Sequence, residues 1–160
     1  MSAYLEEMIS GEVMPGRYRL ARPVPIRSLY EELSAAGWIM RVVDGGAMVD
    51  RASMFDEFAT ACDFPDWFGR NWDAFVDCLR DLSWLPDAPV VVLWQRSGAF
   101  ASAAPQVWSE AGRLIDSAIS ARVEMDLSPL YVIYPAADNR RRDDQASAND
   151  DDGPMLSPIR

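Results

Sequence analysis

Two continuous apolar runs dominate the hydrophobic pattern of the chain, at residues 90–94 (Val-Val-Val-Leu-Trp) and 130–134 (Leu-Tyr-Val-Ile-Tyr). Short unbroken runs of this kind are typical of strands that are buried on both faces of a parallel sheet. Residues 38–43 predict a further strand, which ends at the Asp-Gly-Gly of residues 44–46. This glycine pair lacks the full glycine spacing and the lysine of a phosphate-binding loop, so we interpret it as a turn.

Segments with helical spacing separate these strands. Residues 28–37 predict a helix with Ser28 as its N-cap and Gly37 at its end. A second helix opens at Ser53 with a spacing that resembles a capping box, and runs to about Cys62. A third has Pro105 in its first turn and an apolar face made by Val107, Trp108, Ala111, Leu114, Ile115, Ala118 and Ile119. Helices that alternate with buried strands predict an α/β fold, here a small parallel β-sheet of about three strands packed with helices.

Residues 71–82 predict a helix with one apolar and one acidic face. Asn71 is suited to the N-cap, because its side-chain oxygen accepts hydrogen bonds from free amides of the first turn. The apolar face is made by Trp72, Phe75, Leu79 and Leu82, and the acidic face by Asp73, Asp77 and Asp81. Like charges four residues apart destabilise a helix by a few tenths of a kcal/mol per pair. Two interpretations follow: the carboxylates face a cationic partner, or they form a solvated polar surface.

An aromatic turn precedes this helix, with Pro65 and Gly69 on either side of Trp67 and Phe68. We expect one of the two aromatic side chains to cover the core, and Phe68 to be the more buried of the pair. On the helix itself, Cys78 is expected to be a small core residue rather than a reactive thiol.

The two ends of the chain differ from the middle. Residues 1–25 form an N-terminal extension, in which Tyr18 and Leu20 indicate a short strand or an arm. Residues 26–135 form the predicted domain. Residues 136–160 carry blocks of mixed charge and few hydrophobic side chains, and we predict a disordered tail.

Composition and charge exclude several classes of function. The 160 residues carry a formal charge of −10, with 15 Arg and no Lys or His, which argues against nucleic acid as the direct partner and favours a basic protein. The absence of His and Lys removes the commonest general base, the commonest metal ligand and Schiff-base chemistry. The two cysteines are too few for a disulfide scaffold or a cysteine zinc site. We therefore expect no cofactor and no metal.

The location of the protein is predicted from two kinds of segment, secretory signals and membrane spans. The first residues have no basic region followed by an apolar stretch, as a secretory signal has. No segment approaches the ~18 apolar residues of a membrane span. We expect a cytoplasmic, reduced protein that has no membrane partner.

The stretch Pro-Asp-Trp-Phe-Gly-Arg-Asn-Trp-Asp-Ala-Phe-Val-Asp-Cys-Leu at residues 65–79 resembles the signature of the barstar family. Members of that family are intracellular protein inhibitors of secreted ribonucleases of the barnase type. Weaker similarity extends from about Ile26 to Tyr134. The resemblance implies a barstar-like fold, a one-to-one complex with a basic ribonuclease, and no enzymatic activity.

The resemblance also implies a set of partner-binding residues. The loop and helix would plug the ribonuclease active site, and the carboxylate of Asp77 would take the place of the substrate phosphate. The resemblance further implies that Asp73 makes a second charged contact and that Trp67 and Phe68 supply packed aromatic area. It also implies that Gly69 allows the partner's backbone to approach closely and that Asn71 links the loop to the helix. Val76 is the last implied contact. The founding member has a Trp at the position of Val76, so that contact is smaller in this chain. A later-helix acidic contact of the family matches either Asp116 or Glu124.

Two other functions remain open from the sequence. The same fold serves equally well in an immunity protein against a different basic toxin or nuclease, or in a regulator. Alternatively, Asp73 and Asp77 bind Mg²⁺ in an enzyme, since that ion often needs only one or two carboxylates.

Overall fold

The computed structural model describes residues 1–136 and 153–159. Within these residues, five strands form one sheet: β1 (Arg17–Leu20), β2 (Ile39–Asp44), β3 (Val90–Gln95), β4 (Leu130–Tyr134) and β5 (Leu156–Pro158). The strand order is β2-β3-β4-β1-β5, and all neighbours are parallel except the antiparallel pair β1 and β5. The helices of the same residues are α1 (Ala3–Ser10), α2 (Ile26–Ala35), α3 (Arg51–Ala61), α4 (Trp72–Asp81), α5 (Ser97–Ala103) and α6 (Pro105–Glu124).

The predicted α/β fold with a mainly parallel sheet is confirmed. The three strands that the apolar pattern predicts are β2, β3 and β4, which lie side by side. The alternating side chains of β3 show why its pattern is continuous. Val90, Val92 and Trp94 pack in the core on one face of the sheet, and Val91 and Leu93 pack in the core on the other.

The sheet is larger than predicted because both ends of the chain add a strand. β1 comes from the N-terminal extension and pairs with β4. The prediction of a disordered tail is wrong at residues 156–158, since β5 pairs with β1. The backbone amide of Ile159 also donates to the carbonyl of Arg17 (2.9 Å). These hydrogen bonds satisfy the edge of β1, and a segment of three residues is too short to show a period. Residues 137–152 of the predicted tail lie outside the described residues.

Two helices begin earlier than the sequence predicted. α2 begins at Ile26 with Pro25 as N-cap, so Ser28 lies inside the first turn rather than capping it. α3 begins at Arg51, and its capping box is formed by Asp50 as N-cap and Ser53 three residues later. The Ser53 amide donates to Asp50 Oδ1 (2.8 Å) and the Asp50 amide donates to Ser53 Oγ (3.1 Å). The sequence analysis placed Ser53 at the start of the helix, whereas Ser53 is the third helical residue and Asp50 is the N-cap.

The Asp-Gly-Gly segment contains the last residue of β2, Asp44, and reverses the chain through a short 3-10 helix at Gly45–Ala47, so it is not a phosphate-binding loop of the glycine-rich type. Asp44 Oδ1 accepts a hydrogen bond from the Gly46 amide (2.8 Å) and pairs with Arg96. A Cβ on Gly45 would lie 2.3 Å from the carbonyl oxygen of Arg96, so no larger residue fits there. The two glycines allow the ends of β2 and β3 to approach each other.

The helices cover the two faces of the sheet. α3, α4 and α6 contribute buried side chains to the larger core, on the face of Val92 and Trp94. α1 and α2 cover the other face with Leu5, Met8, Leu29 and Leu33. The N-terminal segment thus supplies both a strand and a covering helix.

Candidate partner-binding site

The acidic helix α4 begins as the sequence predicted. Asn71 is its N-cap, and Asn71 Oδ1 accepts a hydrogen bond from the Ala74 amide (2.8 Å). Asp73 follows in the first turn, where the helix dipole stabilises a negative charge. The helix ends at Asp81, and the C-cap residue Leu82 adopts a left-handed conformation (φ +50°).

The acidic face of α4 is exposed. Asp73, Asp77 and Asp81 all face solvent, whereas Phe75, Cys78 and Leu79 are buried on the opposite side. Side chains four residues apart on a helix lie about 6 Å from each other, so the three carboxylates form one row. Val76 is half-buried beside this row.

In the part of the chain that the structure describes, the carboxylates of the row form no ion pair. Within residues 1–136 and 153–159, no Arg side chain forms an ion pair with Asp73, Asp77 or Asp81. Arg70 is close in sequence, but it pairs with Asp56 of α3 and donates to the carbonyl of Ala52 (3.4 Å). The described part of the fold therefore leaves Asp73 and Asp77 without an ion pair, while the charge of Asp81 interacts with that of the buried Arg122 of α6.

The aromatic turn presents one ring and buries the other. Trp67 is 58% exposed, whereas Phe68 packs edge-on against Phe55 and Phe64, with ring centroids 5.6 and 5.0 Å away. Phe68 is the more buried of the pair, as expected. It anchors the turn while the neighbouring indole stays available to a partner.

Trp84 is a site residue that the sequence analysis missed. Its ring lies edge-on to Trp67 with a centroid distance of 6.0 Å, and its indole N–H donates to the carbonyl of Cys62 (2.8 Å). Trp84 is thus held by the backbone and packs against the exposed indole of Trp67. It lies beyond the end of α4, where no helical period connects it to the turn, and only its aromatic type signals a packing role.

Gly69 and Arg70 shape the entry into α4. Immediately before α4 the left-handed residue is Arg70 (φ +52°) rather than Gly69. A Cβ on Gly69 would lie 3.2 Å from Nδ2 of Asn71, so the glycine leaves room for the capping side chain. Close approach of a partner to Gly69 remains a prediction.

The far end of α4 is held by Arg122, a second residue that the sequence did not reveal. Arg122 is buried on α6, and its Nη1 donates to the carbonyls of Arg80 and Asp81 (3.0 Å each). Its Nε and Nη2 donate to the carbonyl of Ser128 (3.0 and 2.7 Å). Burial lowers the pKa of this guanidinium. The side chain links α4, α6 and the loop before β4.

The two candidates for a later-helix acidic contact differ in their surroundings. Asp116 accepts two hydrogen bonds from the buried Arg17 (2.8 and 2.9 Å). A Cβ on Gly112 would lie 2.8 Å from Nη1 of Arg17, so the glycine makes room for that guanidinium. Burial alone would lower the pKa of Arg17, but its hydrogen bonds to Asp116 and Tyr134 outweigh burial and raise it. Glu124 is exposed at the last residue of α6.

Neither cysteine is placed for nucleophilic chemistry. Cys62 and Cys78 are both buried and both free. Burial raises the pKa of Cys62 to about 12 and that of Cys78 to about 11, so both remain protonated thiols at neutral pH. Cys78 is a core residue, as expected.

Among the residues that the structure describes, no group of three or more His, Cys, Asp or Glu side chains is placed to hold a metal ion. In the same part of the chain, no helix is long and apolar enough to cross a membrane.

Comparison with known protein families identifies the fold that carries this site. The family described as Barstar (barnase inhibitor) matches residues 38–135, more than half of the chain. The chain belongs to the barstar family. The matched residues run from β2 through β4 and contain the aromatic turn, α4 and α6. The comparison with curated proteins finds no match for the chain. Membership in a barstar family of barnase inhibitors implies a ribonuclease as the protein partner.

Proposed function

We propose that this barstar-family chain is an intracellular inhibitor of a barnase-type ribonuclease, which it blocks in a one-to-one complex. The observation that carries the proposal is the exposed row of carboxylates on α4, which forms no ion pair with the described residues, together with the exposed indole of Trp67 in the turn before the helix. Both lie within the matched family region. Like charges at this spacing repel each other, and only Asp73, in the first turn, gains stabilisation from the helix dipole.

Asp77 is proposed as the substitute for the substrate phosphate. An enzyme that cleaves RNA presents cationic side chains to a phosphate, and Arg grips carboxylates and phosphates with the same pair of N–H groups. Asp77 lies in the middle of α4, so its carboxylate projects from a rigid backbone. Such a side chain enters the pocket with little loss of conformational freedom.

Asp73 and the aromatic turn are proposed to surround this contact. Asp73 supplies the second negative charge, one helical turn before Asp77. Trp67 supplies apolar area, with Trp84 holding its ring in place. Phe68, Gly69 and Asn71 set the shape of the loop. Nothing is turned over, because inhibition consists of occluding the nuclease active site.

The net charge supports fast association with a basic partner. A formal charge of −10 attracts a positively charged protein over long distances and repels nucleic acid. The ribonuclease would therefore be bound directly, without RNA in the interface.

Val76 favours a partner that differs from the ribonuclease of the founding member. Its half-buried side chain presents less contact area than the Trp that the resemblance places there. An immunity protein against another basic nuclease would use the same surface of α4, and such a partner is the second candidate.

The proposal is tested by two matched substitutions on α4. Asp77→Ala is expected to weaken binding to a barnase-type ribonuclease at least roughly tenfold, since a hydrogen bond to a charged group is worth about 1.5–3 kcal/mol. Asp81→Ala, one turn further on the same exposed face, is expected to change affinity less than about threefold, because surface charges contribute little. Calorimetric titration measures both. Equal small effects would exclude Asp77 as the phosphate substitute.

A further inference from the structure

Two residues with a left-handed backbone lie on either side of the aromatic turn. Asp63 (φ +53°) precedes the turn, and Arg70 (φ +52°) follows it. The left-handed region is uncommon for residues other than glycine, because the Cβ atom comes close to the backbone there. Such conformations persist only where the surrounding structure holds them. The contacts of these two side chains therefore show what holds the turn.

Each of the two residues forms an ion pair with an element outside the turn. Asp63 Oδ2 pairs with Nη1 of Arg41 on β2 (3.1 Å). Arg70 pairs with Asp56 of α3, and its Nη2 also donates to the carbonyl of Ala52 (3.4 Å). We call the two ion pairs the turn ion pairs. They connect one end of the aromatic turn to the sheet and the other end to α3.

The residues between the turn ion pairs are divided between core and solvent. The rings of Phe64 and Phe68 pack against the larger core. Trp67 and Gly69 are exposed, and both are among the residues proposed to meet the ribonuclease. The core contacts fix the rings that point inward, whereas the ion pairs fix the ends of the segment from which Trp67 projects.

The turn ion pairs are exposed, which limits what they contribute to the stability of the whole fold. The side chains of Asp56 and Arg70 are 61% and 49% exposed, and that of Asp63 is 60% exposed. Ion pairs of this kind add little to the free energy of unfolding. A segment that is already held in its binding geometry, however, loses less conformational freedom on binding. The effect of the two pairs is therefore expected in the affinity for a partner rather than in stability.

We infer that Arg41 and Arg70 are positioning residues of the proposed partner-binding site. Through their ion pairs with Asp63 and Asp56 they hold the aromatic turn in the geometry that binds the ribonuclease. This inference rests on the proposed function and adds the residues that prepare its binding loop. Both arginines act through the position of Trp67, without contacting the ribonuclease.

A double variant, Arg41→Met with Arg70→Asn, removes both turn ion pairs. Asparagine tolerates the left-handed conformation, and its side chain is too short to take over the contacts of Arg70. The two substitutions also remove two positive charges, so long-range attraction alone would strengthen binding to a basic protein. The inference predicts the opposite sign. We expect binding to a barnase-type ribonuclease to weaken at least roughly tenfold in calorimetric titration, since each exposed ion pair is worth up to about fivefold.

Arg96→Asn is the matched control. Arg96 is another exposed arginine with a left-handed backbone (φ +49°), and it pairs with Asp44. It lies between β3 and α5, outside the aromatic turn and α4. We expect the affinity of this variant to stay within about twofold of that of the unsubstituted chain. Urea denaturation is expected to give similar midpoints for the double variant and the control.

Three results of this comparison overturn the inference. The first is unchanged or tighter binding by the double variant. The second is an equal loss of affinity in the control, which would assign the effect to charge in general. The third is a double variant that is largely unfolded, which would give the turn ion pairs a role in stability.

Hydrogen exchange tests the inference in the free protein. The amides of Phe64 and Phe68 donate to the carbonyls of Ala59 and Pro65 (2.9 Å each), so both amides report on the turn. In the unsubstituted chain we expect them to exchange at least roughly a hundredfold more slowly than in an unfolded chain. In the double variant we expect exchange there to be at least roughly tenfold faster than in the unsubstituted chain, with the amides of β3 unchanged. Exchange at the rate of an unfolded chain in the unsubstituted protein overturns the inference.

The outcomes separate the inference from the proposed function. If binding depends on Asp77 but the double variant binds as tightly as the unsubstituted chain, the inference falls and the proposed function stands. If the unsubstituted chain binds no ribonuclease, the proposed function falls, and the role of Arg41 and Arg70 in binding falls with it. If Asp77→Ala and the double variant both weaken binding while Arg96→Asn does not, both stand.

Discussion

At the scale of single residues, Asp77 is the position at which the proposed role in binding is not accompanied by a role in stability. It lies in the middle of α4, where the helix dipole gives a carboxylate little stabilisation, and it faces solvent. Asp73 differs, because its place in the first turn has a structural explanation. Among the described residues the charge of Asp77 has no stabilising partner, which favours a role in binding another protein.

Replacing Asp77 by Ala is expected to leave the free energy of unfolding unchanged or to raise it by a few tenths of a kcal/mol. Ala has the higher helix propensity, and its introduction removes repulsion from Asp73 and Asp81. Urea denaturation of the variant and the unsubstituted chain measures the difference. A loss above about 1 kcal/mol would give the carboxylate a structural role that the exposed position does not explain.

The opposite behaviour is expected of Asn71. Its side chain accepts the Ala74 amide, so Asn71→Ala is expected to lower the free energy of unfolding by about 1 kcal/mol. Asn71→Asp keeps an acceptor and serves as the control, with stability close to that of the unsubstituted chain. Equal losses in the two variants would mean that the cap hydrogen bond is not what Asn71 contributes.

The two thiols give a prediction about pH. Because burial raises their pKa values to about 12 and about 11, Cys62 and Cys78 are expected to resist iodoacetamide at pH 8 until the chain is unfolded. The unfolded thiols ionise near pH 8.5. The folded chain then holds more protons than the unfolded one, so stability is expected to fall as the pH rises from about 9 towards 11–12. Rapid alkylation of the folded protein at pH 8 would contradict this.

Residues with a local role were readable from the sequence. The cap at Asn71 follows from its neighbours along the chain, whereas the burial of Phe68 rather than Trp67 also depends on Phe55 of α3. Trp84 contacts the ring of Trp67 and the carbonyl of Cys62, which are 17 and 22 residues away in sequence. Arg122 donates to the carbonyls of Asp81 and Arg80, which are 41 and 42 residues away. No local pattern encodes such pairings, so only the folded chain reveals them.

At the scale of elements, α4 is positioned at both ends by different means. Its first turn is capped by Asn71, and its last carbonyls are held by Arg122 from α6. The apolar face packs between these points with Phe75 and Leu79 buried. The acidic row is therefore presented by a helix with fixed ends and a buried side.

Arg122→Met is expected to lower the free energy of unfolding by about 2–3 kcal/mol, because the carbonyls of Arg80, Asp81 and Ser128 lose their donor in a buried place. Arg113→Met is the matched control. Arg113 lies on the same helix but is exposed, and it forms a surface ion pair with Glu110, so its removal is expected to cost less than about 0.5 kcal/mol. Chemical denaturation compares the two variants, and similar losses would contradict the structural role of Arg122.

The strands show the limit of sequence patterns for elements. β3 and β4 were predictable because strands buried on both faces are apolar throughout. β1 carries Arg17 and Arg19, and β5 contains Pro158, so neither has the composition of a buried strand. β1 forms by pairing with β4, and β5 forms by pairing with β1. Both pairings depend on the tertiary arrangement of the chain.

At the scale of the whole molecule, charge and fold act together. The acidic row of α4 and the overall charge of −10 have the same sign. A barstar-family fold with this charge attracts a basic partner before any contact forms.

The rate of association with the ribonuclease is therefore expected to fall at least roughly tenfold between low salt and about 0.5 M salt, since screening shortens the reach of charge. The dissociation rate is expected to change much less. Stopped-flow fluorescence measures these rates, and an association rate independent of salt would contradict electrostatic steering.

Stoichiometric inhibition tests the central claim most directly. RNA cleavage by a small guanyl-preferring ribonuclease of the barnase type is followed while the chain is added, with calorimetry in parallel. The account predicts that cleavage falls to zero at one equivalent, and that Asp77→Ala leaves cleavage running at the same concentration. Full cleavage in the presence of excess folded protein, with no heat of binding, would contradict it.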